Sequence, residues 1–132
     1  MPMKTNPTKR ELVIAAAAHA VIKAYNLSRA EVWPQPPWET LDDDLKDSGI
    51  IGVRHALANP GVSHREMWEK WKATRMAQGW TYGPTLNRHG KEHPNLVDDY
   101  TRLPVEERRK DELFLETVRL INDIIGPQGV PI

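Results

Sequence analysis

The chain contains no cysteine, which removes disulfides, thiolate metal ligands and cysteine nucleophiles together. A small disulfide-free domain suits a reducing compartment, so a cytoplasmic location is expected. Charge of one sign is also lacking: 18 lysines and arginines face 18 aspartates and glutamates, for a formal net charge of zero. Without an overall field, nucleic acid and anionic membranes are poor partners. No apolar run approaches the ~20 residues needed to span a bilayer. The longest, Leu12 to Ala18, continues as one face of a helix through Val21, Ile22 and Tyr25 instead of meeting a signal-peptide cleavage region. There is no glycine-rich phosphate cradle followed by lysine, and no dinucleotide fingerprint. Ser28 and Ser48 lie in no strand-turn-helix elbow of the kind that exposes a catalytic serine. No residue is assigned a catalytic role, no cofactor is expected, and the chain reads as a non-enzyme.

What is present fits one domain: 132 residues, 39% apolar, with five tryptophans, can bury a modest core. Residues 1–7 are polar, hold two prolines and are expected to be loose; 8–126 form the domain and 127–132 a tail. Thr8 and Glu11 have capping-box spacing, so a helix should run through the alanine-rich stretch to Tyr25, burying Ile14, Ala18, Val21 and Tyr25. His19 lies beside that stripe as a boundary residue. Pro34, Pro36 and Pro37, flanked by Trp33 and Trp38, read as an ordered irregular crossing pinned by the two indoles. Asp42, Asp43 and Asp44 favour the positive end of a second helix carrying Leu45, Ile50, Val53 and Leu57; on a helix they splay and do not converge on a metal. That helix stops before Asn59-Pro60-Gly61. Ser63 and Glu66 open a third, from His64 to about Gln78, with Gly79 at its C-terminal cap. Leu103-Pro104, then Glu106 and Glu107, open the last. Its stripe is Phe114, Val118, Ile121 and Ile125, widened by Leu113 and Ile124, and Gly126-Pro127 ends it. The expected architecture is mainly α: a compact bundle of about four helices, with short β-strands or a hairpin near the Gly-Trp-x-Tyr-Gly turn.

The most unusual stretch runs from Trp71 to Tyr100. Trp80 and Tyr82 stand two apart between Gly79 and Gly83, so an extended backbone would point both rings to one face, as a platform or a core wedge. Trp71 and Arg75 are four apart and share a helix face. Asn87 to Glu92 reads as a polar hairpin or loop with Gly90 as its turn residue. His89 and His93 would have zinc spacing on a helix, with Glu92 as a third ligand, but Gly90 and Pro94 argue for a loop. The candidate ligand surface is Trp71, Trp80 and Tyr82 as flat faces, Arg75 and Lys91 as anion partners, and His93 as a switchable donor. It suits a small anionic, nucleotide-like ligand: an aromatic face stacks a base for about 1–3 kcal/mol, and a guanidinium grips phosphate through paired hydrogen bonds. From composition alone the same residues read better as core, with Arg75 at a helix end and Lys91 in a solvated loop.

Trp71, Arg75, Gly79-Trp80-Thr81-Tyr82-Gly83, His93-Pro94, Leu96-Val97, Tyr100, Leu103-Pro104 and Lys110-Asp111, in that order, resemble the ryanodine receptor (RyR) domain. Upstream, Pro37-Trp38-Glu39, Gly52-Val53-Arg54 and Asn59-Pro60 are similar to its single-copy bacterial and phage members. The resemblance covers about Leu12 to Ile121 and implies a small, mostly helical domain without established catalysis. In calcium-release channels the domain occurs as tandem repeats, implicated in regulation and in binding adenine nucleotides in a tryptophan-lined cleft. By this resemblance Trp71 and Arg75 match the cleft's tryptophan and basic residue. A homodimer of this single copy would recreate the channels' pair. The alternative it leaves open is a phage or mobile-element interaction module whose aromatics form core or dimer interface.

Overall fold

The computed structural model describes residues 3–30 and 35–126; Trp33, Pro34 and the 127–132 tail lie outside the described residues. Four helices carry the fold: α1 (Lys9–Ser28), α2 (Asp43–Ala58), α3 (His64–Ala77) and α4 (Val105–Ile125). Two-residue strands β1 (Thr81–Tyr82) and β2 (Glu92–His93) lie between α3 and α4, and single 3-10 turns occupy Trp38–Thr40 and Tyr100–Arg102. Each expected helix forms, and both capping boxes close. The Thr8 hydroxyl accepts from the Glu11 backbone while Glu11 accepts from Thr8, and Ser63 and Glu66 do the same for α3.

The core is assembled from one stripe of each helix: Ile14 and Ala18 of α1, Ile50 and Val53 of α2, Met67 of α3, and Leu115 and Val118 of α4. Ile124, expected to widen the α4 stripe, is 71% exposed. Six residues beyond Val118 it stands about 240° further round the helix, away from α1. His19 Nε2 lies 2.7 Å from the Pro36 carbonyl and its ring 6.0 Å from that of Trp38, fixing the end of the crossing to α1. The Trp38 ring rests on Gly49, where an added Cβ would stand 3.3 Å from Cζ3. At the start of the chain, in the segment expected to be loose, the backbone N–H groups of Lys4 and Thr5 and the Thr5 hydroxyl donate to the Asp47 carboxylate of α2. Arg54 completes this anchor, donating to the Thr5 carbonyl at 2.8 Å and pairing with Glu11 at 2.7 Å.

β1 and β2 pair in parallel, Thr81 opposite Glu92 and Tyr82 opposite His93. The intervening chain doubles back through an antiparallel bridge between Asn87 and Glu92. Gly90 N–H donates to Asn87 Oδ1, but the left-handed residue of this turn is Lys91, with φ 55°. Among the described residues, no helix is long and apolar enough to cross a membrane.

Candidate functional site

The site grows from the way α3 ends. Gly79 adopts φ +94°, a conformation that costs glycine little. Its N–H donates to Met76 O and that of Trp80 to Arg75 O, each at 3.0 Å. This crossed pair is a Schellman motif, in which the residue after the glycine folds back on the third residue from the helix end. Trp80 therefore lies against Arg75 and is only 7% exposed. The Arg75 guanidinium sits 5.5 Å from the Trp80 ring centroid and 5.7 Å from that of Trp71, one turn back on the same helix face.

Two expected members of the ligand surface are elsewhere. Tyr82 is 55% exposed while Trp80 is buried, so the two rings do not form one platform. Lys91 Nζ donates to the Gln78 carbonyl at 2.9 Å, so its ammonium caps the C-terminus of α3. Trp71, Arg75 and His93 do come together, lining a cavity of about 200 Å³ among the helices, with Gln35, Glu107 and Asp111 among the other residues of its wall. Trp80 stands behind it, as the second ring against Arg75 and His93.

The electrostatics of this wall are uneven. Burial pulls Arg75 down to about 10, and the field of Arg88 adds to that, while Asp44 opposes it. Nε and Nη1 of Arg75 are buried and, among the described residues, have no hydrogen-bond partner. Burial, then the charges of Arg75 and Lys110, hold His93 at about 4. His93 is thus neutral throughout the physiological range and not the switchable donor expected. Its Nδ1 accepts from Asn95 N–H at 3.0 Å, which puts the proton on Nε2. Its ring meets Trp71 edge-on at 5.0 Å.

On the α4 side, burial pushes Glu107 up, yet hydrogen bonds from Asn95 and Lys110 win and hold it at about 2. Asn95 Nδ2, Lys110 Nζ and Arg29 Nη1 each reach it at 2.9 Å. Asp111 behaves oppositely. Burial raises it to about 7, with Glu107 and Glu112 adding and the hydrogen bond to Tyr100 and the charge of Lys110 opposing. Glu107 and Asp111 had no role in the reading from residue patterns. The signal was present, since positions 107, 111, 114 and 118 follow the helical period and place two acids in line with Phe114 and Val118. Gln35 carried no such signal. Trp68, one turn before Trp71, is 4% exposed and donates from Nε1 to Asn95 O at 3.1 Å, holding the loop that carries Asn95 to α3. His89 is exposed in the turn, and no group of three metal-ligating side chains occurs among the described residues.

The family model of the RyR domain matches residues 62–124, from the approach to α3 through the last turn of α4. That stretch contains Trp71, Arg75, the Schellman turn, His93, Glu107 and Asp111, with α1 and α2 outside it. Residues 62–124, the segment that builds most of the cavity wall, thus match the RyR domain family.

Proposed function

We propose that the protein is a non-enzymatic, cytoplasmic RyR-domain module that senses a small anionic, nucleotide-like ligand in the cavity among the four helices. The observation that carries this is Arg75: two buried guanidinium nitrogens face no acceptor among the described residues, and the cation is held between indoles instead of beside a carboxylate. An unmet buried donor costs about 1–3 kcal/mol, more when it is charged. Cation–π contacts return only about 0.5–2 kcal/mol each and satisfy no hydrogen bond. A bound phosphate or carboxylate would supply the missing acceptors, with the Trp71 face beside it for a planar group.

A thermal-shift screen against adenine nucleotides, cyclic dinucleotides and ADP-ribose derivatives tests the reading, because a ligand that prefers the folded state raises its apparent stability. Saturable stabilisation, lost in Arg75→Ala, is the expected result. No shift with any of them would turn the choice to a second reading, a phage or mobile-element interaction module. The burial of Trp68 and Trp80 as core, and the exposure of Leu120 and Ile124 on α4 at 59% and 71%, favour that reading. It expects a homodimer by sedimentation that Leu120→Glu would dissociate.

A further inference from the structure

We propose that the cavity selects a ligand with two unlike ends: an anionic group held by Arg75 and an N–H donor held by Gln35 and Asp111. The proposal rests on the reading of Arg75 as an anion anchor and adds what the rest of the ligand must carry. Three observations support the second end.

Gln35 Oε1 is buried in the same wall and, among the described residues, accepts no hydrogen bond. An orphan acceptor asks for a donor as firmly as the Arg75 nitrogens ask for an anion. Secondly, the two acids of α4 are not equivalent. Glu107 already accepts from Asn95, Lys110 and Arg29, and has little capacity left. Asp111 lines the same wall, and burial, which outweighs the influence of Tyr100 and Lys110, holds its carboxyl up at about 7, so it lacks a sufficient counter-charge. A ligand ammonium would provide one, and an uncharged amino group would donate a hydrogen bond to the carboxylate. Thirdly, the ends are electrostatically distinct. Arg75 lines the cavity from α3 and Asp111 from α4, and His93 in the same wall feels the charges of both Arg75 and Glu107.

The volume limits the class. At about 200 Å³ the cavity is smaller than the usual small-molecule site of about 300–1,000 Å³. A di- or triphosphate would also bring further negative charge against Glu107. The chemistry that fits is an amino-bearing phosphate monoester, of nucleotide or simpler origin.

Calorimetric titration of the full chain with two pairs that differ only in the amino group tests this. One pair is AMP and purine riboside 5′-monophosphate; the other is phosphoethanolamine and ethyl phosphate. In whichever pair binds, the amino-bearing member should bind about tenfold or more tightly, the scale of one charge-assisted hydrogen bond. Asp111→Asn should narrow that gap, and Gln35→Leu reads out the same contact should the first variant fail to fold. Which pair binds distinguishes a nucleotide from a simpler zwitterion, and either supports the proposal. Equal affinities within a pair would overturn it while leaving Arg75 as an anion anchor. If none of the four binds, the ligand-sensing reading falls with it.

Discussion

Arg75 sits where opposing contributions meet, and the cost is only partly offset. Burial of the cation works against the fold, and the Trp71 and Trp80 faces on either side work for it. Arg75→Met keeps the packing of the helix-ending turn while removing charge and unmet donors. Its stability by urea unfolding should therefore match the parent's or exceed it by about 1–2 kcal/mol, since two cation–π contacts offset only part of the desolvation of the cation and its unmet donors. Ligand-induced stabilisation should vanish in the same variant. Trp80→Ala removes a buried indole and should lose about 3–5 kcal/mol; an unchanged melting temperature would contradict its role as core. At this scale the sequence revealed part of the site. The spacing of Trp71 and Arg75 could be read directly, because helical phase is a local property. Tyr82 and Lys91 were misplaced because the pairing of β1 with β2 and the reach of Lys91 back to Gln78 join segments distant in sequence, which no local spacing reports.

The helices were legible from their ends. Thr8 with Glu11 and Ser63 with Glu66 announce α1 and α3 through paired donors and acceptors whose spacing the backbone dictates. Less legible were contacts between elements. Asp47 of α2 is 5% exposed and holds the backbone of Lys4 and Thr5, a long-range pairing without a spacing rule. Asp47→Ala should cost about 2 kcal/mol, the scale of hydrogen bonds to a buried charge, and should lower amide-exchange protection at Thr5 before it does so in the α2 core. Gly52 is a second such contact: an added Cβ would stand 2.9 Å from Phe114 Cζ, and Phe114 lines the cavity. Gly52→Ala should cost about 1–3 kcal/mol by overpacking and weaken ligand binding as the ring is displaced.

The whole molecule balances groups that titrate in opposite senses. Glu11, held at about 2 mainly by its hydrogen bond from Arg54, and Glu107, also at about 2, both lie below their ordinary 4.5. Their stabilisation is complete above 4.5 and is lost as pH falls toward 2. His93, at about 4 against 6.5, contributes fully above 6.5 and loses that contribution as pH falls to 4. Asp111, at about 7 against 3.8, runs the other way, contributing fully below 3.8 and losing it as pH rises through 7. Between 4 and 6.5 the last two oppose each other, so the melting temperature should be nearly flat there. Asp111→Asn should expose the His93 slope, with stability rising with pH across that window; a flat profile in the variant would contradict the assignment.

An Arg75 guanidinium that anchors an anion in the cavity is visible by nitrogen-detected NMR of the arginine side chains. With the Arg75 Nε–H signal assigned by its loss in Arg75→Met, titration with AMP should move that signal saturably and leave Arg54, already paired with Glu11, in place. An Arg75 signal that stays still while AMP reaches millimolar concentration, in a protein that remains folded, would contradict the account.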